Sequence, residues 1–170
     1  MNMKLLLFIP IAFLTACWPT SVSFQDGSVP PEWKRFMVQT LESNAANAPI
    51  SYAPNLTEDL KDAIQNRVGL KLVASEENDP QVNVAGIIQS YIITPLSLQD
   101  NTAEIQNRLT IRATFEIFIS EPEEEVMELN ISRFADFDAG EDVGSIQDQL
   151  LEEINDQIIQ DVLNKLLSNW

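Results

Sequence analysis

The chain has 170 residues, with ten Lys and Arg against 26 Asp and Glu, a formal charge of −16, one cysteine and no histidine. So acidic a balance repels nucleic acid and anionic membrane surfaces, which are held by clustered cations. The missing histidine removes the commonest general base, the commonest zinc ligand and every Ser-His or Cys-His nucleophile pair.

The N-terminus carries one cation at Lys4, an apolar stretch from Leu5 to Phe13, and then Leu14-Thr15-Ala16-Cys17. This is the order of a secretion signal. The stretch is far shorter than the roughly 20 residues that cross a hydrocarbon core, and Pro10 weakens any helix there. The Leu-x-Ala-Cys ending resembles the bacterial lipobox. Residues 1–16 are therefore expected to be a lipoprotein signal peptide, and Cys17 the lipidated first residue of the mature chain. Two or three acyl chains attach firmly where one gives only marginal binding. Trp18, in place of Asp after the cysteine, resembles the outer-membrane sorting pattern. The mature 154 residues would hold nine cations against 26 acids, a charge of −17, in one domain. Cys17 is the only cysteine, so no disulfide framework exists.

Residues 17–32, polar after the cysteine and with three prolines, read as a tether, and residues 33–170 as a single domain. Trp33 to Leu41 is rich in aromatic and β-branched residues and predicts a first strand; Asn44 to Pro54 reads as a turn. A helix is expected to open near Asn55 with Thr57 as its cap, to carry Leu60, Ile64 and Val68 on one face, and to stop at Gly69. Strands are expected over Leu70 to Ala74, Gln81 to Thr94 and Ile105 to Ser120, with Pro95 to Glu104 as a hairpin loop. The last of these alternates most clearly. Leu109, Ile111, Ala113, Phe115, Ile117 and Ile119 fall on one side, and Arg108, Thr110, Arg112, Thr114 and Glu116 on the other. An acidic turn at Glu121 to Glu125 leads into a further alternating strand through Met127, Leu129 and Ile131.

Asp136 to Asp142 looks like a calcium loop but lacks its spacing, since Gly140 is fifth from the first aspartate where that loop needs its glycine sixth. It reads as an acidic turn, and no metal or cofactor is expected. The C-terminal helix is expected to start at Ser145, with Asp148 completing a capping box, and to place Ile146, Leu150, Ile154, Ile158, Val162 and Leu166 along one stripe. At 3.6 residues per turn a four-residue spacing drifts around the helix. Either the helix curves over a twisted sheet, or its end meets a partner. The fold class is α+β: a two-layer sandwich with a mixed, mostly antiparallel sheet of four to five strands and two helices on one face.

In so acidic a chain, grouped cations stand out. Arg108 and Arg112 share the wet face, roughly 13 Å apart. Arg133, on the next strand, joins them only if a bulge or strand end turns it outward, because its parity matches Leu129 and Ile131. Alternatively, all three neutralise nearby acids such as Glu116 and Glu128.

Ser28-Val29-Pro30-Pro31, Leu56-Thr57-Glu58-Asp59-Leu60-Lys61-Asp62, Leu72-Val73-Ala74-Ser75, Asn107-Arg108-Leu109-Thr110-Ile111, Ser132-Arg133-Phe134-Ala135-Asp136-Phe137 and the helix from Leu151 to Trp170 resemble the LptE-type lipopolysaccharide-assembly lipoproteins. The resemblance implies a non-enzymatic outer-membrane lipoprotein that plugs and supports a large β-barrel partner, LptD, and assists lipopolysaccharide assembly. It makes Arg108, Arg112 and Arg133 candidate lipopolysaccharide contacts. The strong negative charge departs from what a surface touching an anionic lipid would carry. The rival reading is a lipid-anchored periplasmic module binding a small apolar or cationic ligand, with a paired-acid hydrolase behind it.

Overall fold

The computed structural model describes residues 29–96 and 106–168. Cys17, the signal segment, most of the tether, the greater part of the Pro95 to Glu104 connection and Trp170 lie outside the described residues. In chain order come β1 (Arg35–Val38), β2 (Glu42–Ser43), α1 (Tyr52–Ala63), β3 (Lys71–Leu72), β4 (Val82–Leu96), β5 (Gln106–Ile119), β6 (Glu125–Asp138) and α2 (Val143–Leu167). They form one mixed sheet in the order β3-β1-β4-β5-β6, with β2 also paired to β4, and the two helices pack into one core with it. This is the expected α+β architecture with six strands rather than four or five. The extra strand is the two-residue β2, too short to show a period, while β3 falls within the expected Leu70 to Ala74 strand.

The expected first strand is split. Phe36 to Val38 run parallel to Val82 to Val84, and Glu42 and Ser43 resume the pairing beside Ile87 and Ile88. Between them the chain leaves the ladder, and the amide of Leu41 donates to Thr57 Oγ1 at 3.0 Å, while that hydroxyl donates to Ala53 O at 2.7 Å. Thr57 is therefore not the helix cap. The helix begins at Tyr52, one turn earlier, and Thr57 is buried inside it as the clamp on the strand break. A threonine hydroxyl bonding back to the preceding turn leaves its lone pairs for such an acceptor role. After α1 the chain continues as a wider π turn over Ile64–Val68 and stops at Gly69, whose φ of 80° suits glycine.

The long antiparallel strands were legible from their alternation. Leu109, Ile111, Ala113, Phe115, Ile117 and Ile119 are all buried against the helices. β4 runs two residues further than expected and includes Pro95, which sits opposite Asn107 beyond the end of β2, where β4 has no second neighbour among the described strands. A proline belongs on such an edge, because its missing N–H faces no partner strand. β6 continues past Ile131 to Asp138, with Ala135 and Phe137 buried. The acidic stretch from Asp136 is thus half strand and half turn, the turn being held by Gly140 N donating to Asp138 Oδ1 at 2.7 Å.

α2 starts at Val143, with Asp142 as its first capping position, and Ser145 donates its hydroxyl to Asp142 O inside the first turn. The expected Ser145 cap is displaced because Asp142 already holds the extended conformation that precedes a helix. Leu150, Ile154, Ile158, Val162, Leu163 and Leu166 are all buried in the chain's own core. The drifting stripe is thus met by the chain's own core as far as Leu166.

Candidate functional site: the uncovered sheet face

Both helices lie on one side of the sheet, and no described element covers the other. Its residues follow from the register. From one end to the other they form cross-strand rows: Asn83, Phe118 and Val126; Ala85, Glu116 and Glu128; Ile87, Thr114 and Asn130; Ser90, Arg112 and Ser132; Ile92, Thr110 and Phe134; Thr94, Arg108 and Asp136. Five large apolar residues here are exposed, Ile87, Ile92, Phe118, Phe134 and, most of all, Val126 at 65%. Isolated exposed apolar residues are ordinary; several on one uncovered face invite contact.

The polar centre of the face is organised. Gln89 Nε2 donates to Thr114 Oγ1, the Thr114 hydroxyl donates to Asn130 Oδ1, and Asn130 Nδ2 donates to Glu128 Oε1, at 2.7, 2.7 and 2.9 Å. Glu116 and Glu128 stand directly opposite one another, a repulsive cross-strand pair. Two rows further, Arg112 is exposed and has no carboxylate in ion-pair range among the described residues, with the buried, unpaired Ser90 Oγ in the same row.

Arg108 is held differently. Its Nε and Nη2 reach Asp136 Oδ1 and Oδ2 at 2.6 and 2.8 Å, and its guanidinium carbon lies 3.6 Å from the Phe134 ring centroid. The paired hydrogen bonds to Arg108 hold the Asp136 carboxyl below the usual carboxylate range and push the guanidinium up. The ring and the carboxylate together fix a planar cation at the surface.

Arg133 does not join them. It pairs with Ile111, so it projects to the helix side, and no bulge interrupts β6 there. Its Nε and Nη2 each bond Asp161 of α2 at 2.6 Å, tying the edge strand to the helix. The three sequence candidates therefore divide into two on the open face and one beneath it. Their acidic partners are Asp136 and Asp161 rather than Glu116 and Glu128. Period two placed Arg133 on the helix side, and an acid on the matching face of α2 was the signal that it stays there.

A second concavity, of about 600 Å³, runs between the helices and is walled by Glu58, Asp59, Asp62, Asp148, Glu152 and Asp156. At its floor the Tyr52 hydroxyl donates to Asn155 Oδ1 at 2.9 Å and Asn155 Nδ2 donates to Asp59 Oδ2 at 3.1 Å. Burial pushes the Tyr52 hydroxyl pKa up. These polar groups already satisfy one another and the groove does not use the sheet as a wall, so the rival ligand-binding reading gains little from it. Among the described residues no helix is long and apolar enough to cross a membrane.

Comparison with known proteins agrees with this architecture. No curated protein sequence matches the chain. Among solved structures it is similar to a minor lipoprotein from Acinetobacter baumannii, at 12% identity over 81% of this chain and 94% of that one, TM-score 0.52. It is also similar to lipoprotein B from Nitrosomonas europaea, at 16% identity over 85% and 88%, TM-score 0.52. A putative neuraminyllactose-binding hemagglutinin homolog from Helicobacter pylori matches at 13% identity over 85% and 87%, TM-score 0.52. At such identities these likenesses speak for the fold alone. The model of the LptE family, lipopolysaccharide-assembly, matches residues 38–166, from the end of β1 to the last turn of α2, and the chain belongs to that family.

Proposed function

We propose that the protein is a non-enzymatic outer-membrane lipoprotein, anchored through acyl chains on Cys17, that seats in and supports a β-barrel partner of the LptD kind and assists lipopolysaccharide to the outer leaflet. The observation that carries the assembly role is the family match across nearly the whole described domain. Within that role, the uncovered sheet face is the surface we assign to lipopolysaccharide. Arg112 lies exposed among neutral residues, and Arg108 is fixed four residues away on the same strand. A phosphorylated sugar head would meet Arg112 directly and share Arg108 with Asp136, and the exposed Ile92 and Phe134 lie between them in the intervening row.

Two measurements test this. Gentle solubilisation of membranes should bring down a barrel of several hundred residues with the lipoprotein; a lone monomer would overturn the barrel reading. Arg112→Glu should weaken lipopolysaccharide cross-linking in a salt-sensitive way while barrel copurification stays intact. Unchanged cross-linking would leave the protein a plug without a ligand-handling face.

A further inference from the structure

β6, 14 residues long, is the outer strand of the sheet among the described residues, and within them it pairs on one side only, with β5. Two observations say which of its backbone groups point away from the sheet. Ser120 N donates to Gln81 O at 3.0 Å, so the even-numbered residues of β5 exchange bonds with β4, leaving its odd-numbered residues for β6. The pairs Phe115 with Leu129, Ala113 with Ile131 and Ile111 with Arg133 are then the bonded ones, and the even-numbered residues of β6 point outward. Independently, Gln157 Nε2 of α2 reaches the outward carbonyl of Phe134 at 3.5 Å. From Glu128 to Phe134 the edge therefore presents its N–H and C=O groups on Glu128, Asn130 and Ser132 and the N–H of Phe134, all four residues exposed.

A long edge normally carries a proline, a bulge or lysines that refuse another strand. β6 has no Pro, no Lys and no bulge over its length. What it has on the solvent face is Glu128, with Glu116 of β5 opposite it, while Asp136 is already held by Arg108. In a chain of net charge −16 the two glutamates repel a second copy and attract a cationic strand. Beneath the same stretch, between β6 and the last turns of α2, a concavity of about 500 Å³ is lined by Leu129, Ile131, Arg133, Asp161, Asn164 and Lys165. A strand laid on the edge would point alternate side chains into this space and the others into solvent beside Glu128. Where Gln157 takes the Phe134 carbonyl, the edge is no longer free, which limits the added strand to about five residues.

We infer that the Glu128–Phe134 edge of β6 is a strand-addition site for an extended, cationic segment of a partner polypeptide, with apolar residues facing α2 and Lys or Arg facing solvent. This site is separate from the open-face arginines and stands whether or not the partner is a barrel.

The test uses the full chain in detergent micelles and an end-blocked eight-residue peptide alternating Lys and Val. Expected are binding by fluorescence anisotropy, weakened by salt, and slowed hydrogen exchange at the outward amides of Asn130 and Ser132. The amides of Leu129 and Ile131, already paired with β5, should not change. Ser132→Pro removes an outward donor that the fold does not use and should lower affinity at least about tenfold with an unchanged Tm. Should that variant lose stability, a peptide N-methylated at alternate residues makes the same cut from the other side and should fail to bind. No binding by the Lys-Val peptide, equal binding by a Glu-Val peptide, binding indifferent to both backbone cuts, or edge-to-edge dimers of the chain itself would each overturn the proposal.

Discussion

The two faces of β5 are a controlled comparison, because one stretch of backbone serves both. Toward the helices it presents Leu109, Ile111, Ala113, Phe115, Ile117 and Ile119, all buried. Toward solvent it presents Arg108, Thr110, Arg112, Thr114 and Glu116, with polar ladders and an arginine stacked on Phe134. Each face also has its own arginine–aspartate pair: Arg133 with Asp161 joins strand to helix, and Arg108 with Asp136 joins strand to strand. The buried face carries the stability of the domain, and the open face is the one we assign to a ligand. Substitutions on the two sides should therefore separate into stability effects and binding effects.

The largest effect is expected from Leu166→Asp or Leu163→Asp. Both positions are buried on the core side of α2, and an unpaired charge there costs several kcal/mol of a total near 5–15 kcal/mol. Loss of a cooperative melt is the expected outcome, and wild-type melting would break the division of labour between the faces. Next comes Gly86→Ala. A Cβ at Gly86 would lie 2.7 Å from Phe115 Cδ1 and 3.0 Å from Leu41 Cδ2, both fully or nearly buried, so the core must shift at about 1–3 kcal/mol. Thr57→Val keeps the shape but strips the acceptor from the Leu41 amide, at about 1–3 kcal/mol, read by chemical denaturation.

The two ion pairs should differ less from each other than either does from the core. Arg133→Gln is expected to cost at most about 1 kcal/mol, since its side chain is 42% exposed, and to loosen amide exchange where α2 meets β6. Arg108→Gln should act mainly through its acid partner. In the folded chain Asp136 titrates below the usual carboxylate range, so its contribution is present above that range and is lost as pH falls through the lowered value. Its carboxyl midpoint by NMR should rise toward the ordinary value in the variant. An unmoved midpoint would separate Asp136 from the arginine. Smallest for stability is Arg112→Glu, within about 0.5 kcal/mol, because the side chain is exposed and unpaired among the described residues. A clear fall in Tm would make Arg112 structural and sharpen the case against the open face as a ligand surface.

Much of this was legible in the residues themselves, because alternation and the four-residue apolar spacing are local records of burial. They disclosed the long strands, the buried side of β5, the C-terminal helix and the parity of Arg133. The strings Asn107 to Ile111 and Ser132 to Phe137 pointed to the lipopolysaccharide-assembly family. Only the tertiary structure decided the rest. Thr57 looks like a cap in sequence, and becomes a clamp because a strand break 16 residues earlier frees the Leu41 amide. The acid that each arginine chooses lies 28 residues away in both cases, so register and helix packing select Asp136 and Asp161 over the nearer-seeming Glu116 and Glu128. An exposed backbone edge leaves no mark on side-chain pattern, so β6 became visible as an open strand only once its neighbours were in place. Local sequence sets which way each side chain points, and only long-range pairing decides what it meets there.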